Sequence, residues 1–126
     1  AILAPRGIGA GAWSGDDRKQ VQIRRRFMLL GQTLDGMRVW DVHRGLQALR
    51  GLHPGSVEVE VEARGRMAVN ALYAALLGSG VEVLRLRQMP DSHAGDAPDY
   101  LNVLRVLDVP VALEMARRQG VKVVLE

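Results

Sequence analysis

Short apolar runs at residues 2–4, 57–61, 81–86 and 121–125 are rich in Val and bounded by Gly or Pro, the pattern of strands. Between them the apolar spacing changes from two to three and four, the pattern of helices. Asp16 or Asp17 can cap a first helix in which Ile23, Phe27 and Leu30 fall on one stripe, and Gly31 can stop it. A second helix starts near Thr33 or Asp35 and carries Val39, Val42, Leu46 and Leu49 on one face, with Trp40 beside them. The third, over residues 67–77, is Ala- and Leu-rich on several sides and ends at Gly78, Ser79 and Gly80, as a helix covered by neighbours should. A loop over residues 89–98 precedes a short helix suggested by Tyr100, Leu101, Leu104 and Leu107. Pro110 then opens a last helix that Gly120 can end.

Strands alternating with helices of this length predict an α/β fold: a parallel sheet of about four strands with flanking helices, layered αβα, in a single domain over residues 1–126. One stretch resists the picture. From Ser56 to Glu62, Val57, Val59 and Val61 alternate with Glu58, Glu60 and Glu62, whereas central parallel strands are apolar on both faces. Either one face of this strand is wet, or its glutamates meet cations such as Arg85 and Arg87 on a neighbouring strand.

Composition narrows the classes. With 48% hydrophobic and 25% charged residues the chain has the profile of a folded globular protein, and 4% aromatic content means an aliphatic core. Without cysteine it has no disulfide, thiolate metal site or cysteine nucleophile. No run reaches the length needed to cross a bilayer and no signal peptide is visible, so membrane partners are not expected and localisation stays open. The net charge of +3 comes from basic residues spread along the chain, which does not predict nucleic-acid binding. Both ends, Ala1 to Ala4 and Val123 to Glu126, read as strand, which suggests a segment of a longer protein.

Three stretches carry a family resemblance: Ala4, Pro5, Arg6, Gly7, Ile8, Gly9; the run from Leu34, Asp35 and Gly36 to Trp40, Asp41 and Val42; and Ala71, Leu72, Tyr73 together with Asp99, Tyr100, Leu101, Asn102. In order and spacing they resemble the α/β-hydrolase family, particularly bacterial acetyl-xylan-esterase-like and prolyl-oligopeptidase-like members, which are often exported. The resemblance implies a partial hydrolase fold. It also implies a nucleophile elbow, a sharp G-x-S-x-G turn between a strand and a helix, at Arg64, Gly65 and Arg66. The serine position is then Gly65, which has no hydroxyl, and the flanking arginines and Met67 are expected to crowd the turn. The family's acid and histidine fall beyond residue 126. Of the histidines present, His43 and His53 sit in or beside the second helix, and none is expected to serve as a relay. The resemblance therefore implies a catalytically incomplete hydrolase-like domain. Its alternatives are the middle segment of an active esterase or peptidase whose catalytic residues lie elsewhere, and an independent flavodoxin- or Rossmann-like binding module. A partial sheet leaves strand edges unpaired, so the partners expected are the rest of a larger parent chain or a second copy.

Other constellations have plainer readings. Asp91, His93, Asp96 and Asp99 are the densest set of candidate metal ligands, yet they share a loop with Gly95 and Pro98, where Asp is an ordinary turn and cap residue. No metal is therefore assigned. Gly7, Gly9 and Ala12 match a G-x-G-x-x-A dinucleotide loop, but Trp13, Ser14 and Gly15 separate it from the next helix, so no cofactor is assigned either. Arg24, Arg25 and Arg26 fan around a helix instead of forming one patch.

Overall fold

In the computed structural model the residues described are all but Ser14, Ser56 and Ser79, and expectations resting on those three positions lie outside the described residues. Helix α1, Asp17–Leu29, is capped by Asp16, whose carboxylate accepts the Lys19 amide at 2.9 Å. Gly31, at φ 69°, terminates it, with Gln32 N–H bonded back to Phe27 O. Although its apolar stripe is as expected, α1 buries no residue. It is tethered by the stacking of Phe27 on Trp13, a Gln20 bond to Trp13 O, and an ion pair between Arg24 and Asp99. Helix α2, Leu34–Leu52, starts on Thr33, whose hydroxyl accepts the Gly36 amide, and buries Val39, Val42 and Leu46. Trp40 is left 54% exposed.

The sheet has three parallel strands, not four: β1 Glu60–Arg64, β2 Val83–Arg87 and β3 Lys122–Leu125, in the order β1-β2-β3. Residues 2–4, expected as a strand, join no ladder, and Ile2 is fully exposed. Residues 57–59 are likewise outside the ladder, so the first strand begins three positions later than the valines suggest. The lead-in is held instead by Glu82, whose carboxylate accepts the Val59 amide at 2.7 Å.

Helix α3, Arg66–Leu76, crosses from β1 to β2, and α4, Val109–Arg118, from β2 to β3. Pro110 lies in the first turn of α4 as expected, with Asp108 as its cap and Gly120 just past its end. The short helix expected after Tyr100 is only a 3₁₀ turn, Val103–Arg105. Because α3 lies between α2 and α4 it is buried on several sides, and Ala68, Val69, Leu72 and Ala74 have no exposure at all. With Leu84, Leu86, Ala112 and Ala116 they form the core.

The three-layer expectation fails on the other side of the sheet. The register aligns Glu60, Glu62 and Arg64 with Val83, Arg85 and Arg87 on one face, and Val61 and Ala63 with Leu84 and Leu86 on the face that carries the helices. Both halves of the Val/Glu reading hold at once. Arg85 pairs with Glu60 and Glu126, Arg87 pairs with Glu62 at 2.8 Å and Glu126 at 2.7 Å, and all of these side chains remain substantially exposed. A face built of ion pairs needs no covering helix, and the described helices that pack on the sheet lie on the opposite side.

Candidate functional site

Several of the residues singled out for chemistry, Arg64, Gly65, Arg66, His93, Asp96 and Asp99, gather at the carboxyl ends of β1 and β2, the usual position of ligands on open parallel sheets. Between β1 and α3 the chain turns on a single residue, Gly65, at φ 59°, ψ −135°. This backbone conformation is strained for any residue with a Cβ. Its N–H donates to Arg87 O at 2.8 Å, which ties the turn to β2. Met67 does not crowd the turn: apart from its two chain neighbours, a Cβ built on Gly65 finds nothing within 4 Å. Arg64 leans to Gln88, its Nε donating to the amide oxygen at 2.8 Å, and Arg66 turns the opposite way. Gln88 is itself at positive φ, 48°, held by its N–H to Glu126 O. Two residues at positive φ therefore stand at neighbouring strand ends.

Arg66 leads to a feature that the sequence does not reveal. Its guanidinium donates to Asp35 Oδ2 at 2.8 Å and to Asp96 O at 2.9 Å, and lies 3.6 Å from Asp99 Oδ2. Asp35, buried in the first turn of α2, also accepts from Arg38 Nη1 at 3.1 Å and from the Asp99 amide at 3.0 Å. Burial alone would raise the Asp35 carboxyl. The Asp99 amide, Arg66 and Arg38 together outweigh it and hold the group below the usual carboxylate range. Asp35 thus clamps α2, α3 and the loop after β2 at one point.

Beneath that clamp the rings of Tyr73, His93 and Tyr100 meet with centroids 5.0–5.6 Å apart. His93 Nδ1 lies 3.0 Å from Pro98 O, which can only accept, so Nδ1 carries the proton and Nε2 accepts from Tyr73 Oη at 3.0 Å. Burial, reinforced by the nearby Asp108 charge, pushes the Tyr73 hydroxyl up to about 12. Tyr100, raised above the ordinary phenol value chiefly by burial, donates to Asn70, which is wholly buried and gives its own amide hydrogen to Met67 Sδ.

Each of the sequence candidates has a place in or around this arrangement. Of the metal set, His93 has both ring nitrogens engaged, Asp99 faces Arg66 and Arg24, Asp96 contributes its main-chain oxygen to Arg66, and Asp91 is exposed on the loop. Among the described residues no group of three or more His, Cys, Asp or Glu is placed to hold a metal ion. A serine, a histidine and an aspartate do come together at Ser92, His93 and Asp108, but in the wrong order for a relay. The Ser92 hydroxyl donates directly to Asp108 Oδ2 at 2.6 Å, and only the His93 main-chain N–H reaches Asp108, at 2.8 Å. His43 is buried against Trp40 with Gln47 as its hydrogen-bond partner, and His53 follows the last turn of α2. The Gly7/Gly9 loop follows no strand, and α1 begins only at Asp17.

The stretches that carry the family resemblance are in mutual contact. Arg6 of the first grips Asp41 of the second through its N–H at 3.0 Å and its Nε at 2.8 Å, while Arg38 donates to Arg6 O. The second meets the third where the Asp99 amide donates to Asp35, and within the third Tyr73 packs against Tyr100. Among the described residues no helix is long and apolar enough to cross a membrane. No family model matches the chain, and no curated protein or solved structure matches it either.

Proposed function

We propose that the chain is a catalytically incomplete α/β-hydrolase-like domain whose role is binding or structural. The observation that carries the reading is the turn at Gly65. A strand ends, one residue takes a strained conformation, and a helix begins, which is the geometry that presents a nucleophile, but the residue there has no side chain. The surroundings favour the same reading. Both His93 nitrogens are committed to Tyr73 and Pro98, and the Ser92 hydroxyl is held by Asp108, so no described serine has an imidazole as general base.

The test is exposure to a fluorophosphonate and to a nitrophenyl acetate ester. The wild-type protein should be neither labelled nor active, and Gly65→Ser, which has room in the turn but bears its backbone strain, should fold with some loss of stability and gain no efficient turnover. Stoichiometric labelling of any serine in the wild type would overturn the reading. Rapid hydrolysis by Gly65→Ser would show that an acid–base partner is already in place, and would favour the alternative that the chain is part of an active esterase or peptidase.

A further inference from the structure

The open edge of β1 borders an apolar groove. Gly65 N–H donates to Arg87 O and Val59 O accepts from Glu82 and Val83, so the odd-numbered residues of this segment face β2. By the alternation of a strand, the N–H and C=O groups of Glu60, Glu62 and Arg64 point the other way, and among the described residues nothing pairs with them. Beside this edge lies a groove of about 500 Å³, walled by Ile2 and Leu3 on the far side and by Val61 and Ala63 on the near side. Val42 and Leu46 of α2 form its roof.

We propose that this groove receives an extended segment of another polypeptide, which adds to the sheet as a strand beside β1. Three observations specify its chemistry. The row of unpaired main-chain groups calls for a strand and not a helix, since only an extended backbone can match a ladder, here roughly 16 Å long for the five residues of β1 at about 3.3 Å each. The inner wall is apolar and the outer face of β1 is charged, so the segment carries apolar residues at alternate positions with polar residues between them. Glu60 and Glu62 already have Arg85 and Arg87, but Arg64 bonds the neutral Gln88 and has no carboxylate partner among the described residues, so an acidic residue belongs at the end of the segment that reaches Arg64. The roof explains why a lone segment fits better than a second copy. Antiparallel pairing of β1 with β1 of a second molecule keeps both helix layers on one face and sets α2, which roofs the groove, against its own copy across the seam.

The probe is a synthetic peptide alternating Val and Thr and ending in Asp, with two controls: the same peptide with a central Pro, and one ending in Lys. Binding should protect the amides of Glu60, Glu62 and Arg64 from hydrogen exchange. The Pro peptide should bind at least about tenfold more weakly, equivalent to roughly 1.4 kcal/mol. Arg64→Glu should reverse the preference between the Asp and Lys ends. Glu62→Pro, which removes a donor that the fold itself does not use, should abolish binding. Protection elsewhere, or equal binding of the Pro peptide, would overturn the proposal. So would concentration-dependent dimerisation of the protein alone with protection at those same three amides, because the occupant would then be a second copy. If Glu62→Pro fails to fold, exchange in the wild type and the Arg64→Glu reversal decide between these outcomes.

Discussion

Replacing Asp35 by Ala removes one carboxylate and releases three contacts at once: Arg66 at 2.8 Å, Arg38 at 3.1 Å and the Asp99 amide at 3.0 Å. Breaking a fully buried ion pair costs about 3–5 kcal/mol. Here the carboxylate is 6% exposed but Arg66 is 43% exposed and can turn to water. That lowers the expected loss to about 2–4 kcal/mol. For a domain of this size the loss corresponds to a fall in Tm of roughly 6–15 °C. Asp35→Asn keeps an oxygen for the Asp99 amide and should lose about half as much. The same carboxyl gives a pH signature. Its value in the folded state is depressed, so its contribution is present above the unfolded-chain value near 4 and disappears as pH falls through the folded value. The gap in stability between wild type and Asp35→Asn should therefore be widest at neutral pH and close on acidification below about 4. Thermal melts and urea titrations across pH measure both effects. A Tm for Asp35→Ala within about 2 °C of wild type would show that the clamp is an ornament of the surface.

Tyr100→Phe leaves the carbonyl oxygen of the wholly buried Asn70 without its donor and should cost about 1–3 kcal/mol in urea unfolding, and an unchanged midpoint would refute the bond. Tyr73 should show phenolate absorbance only near pH 12 in the folded protein, against about 10 when unfolded. A folded value raised in this way contributes stability that is complete below about 10 and lost as pH rises toward about 12, so Tyr73→Phe should flatten the alkaline limb of the stability curve. Helix α1, which buries no residue, should exchange its amides orders of magnitude faster than α3, and equal protection of the two would mean that its few tethers are stronger than their geometry suggests.

The elements with strong local signals are legible in the sequence. Asp16, Thr33, Pro110 and Gly120 act through short-range hydrogen bonds and fixed dihedrals, which do not depend on the rest of the fold, and each ends or begins a helix where its chemistry dictates. Residues 2–4 have the composition of a strand without forming one, because β-propensity reports a half-buried, pleated surface, and these residues stand across a groove from the edge of β1 without pairing with it. The layering is hidden for a related reason. Alternating Val and Glu are visible, and with them Arg85 and Arg87 as partners, but that these pairs share one face with no helix over it depends on a register across 23 residues, which no local pattern encodes. At the site, Gly65 stands out through the resemblance, whereas the clamp at Asp35 does not stand out at all. It joins residues 31 and 64 positions apart in the chain, and an aspartate in the first turn of a helix ordinarily reads as a favourable dipole partner and nothing more.

The polar groups of this domain divide into those the fold has already satisfied and those it leaves open. Reaction chemistry requires a nucleophile or a titrating group with a free hydrogen-bonding valence facing a cleft. At the carboxyl ends of the strands three titratable groups are engaged internally: Asp35 by three donors, His93 through both nitrogens, Asp108 by Ser92 and two amides. On the charged face of the sheet the pairs are exposed and screened by solvent, so they act mainly to keep that face in water and away from other sheets. Among the described residues the groups left open include the buried His43 Nδ1 and Arg50 Nε and, on the surface, the main-chain donors and acceptors of Glu60, Glu62 and Arg64 beside an apolar groove. Main-chain groups recognise shape and direction, not reactivity, and a surface of that kind is suited to holding another strand.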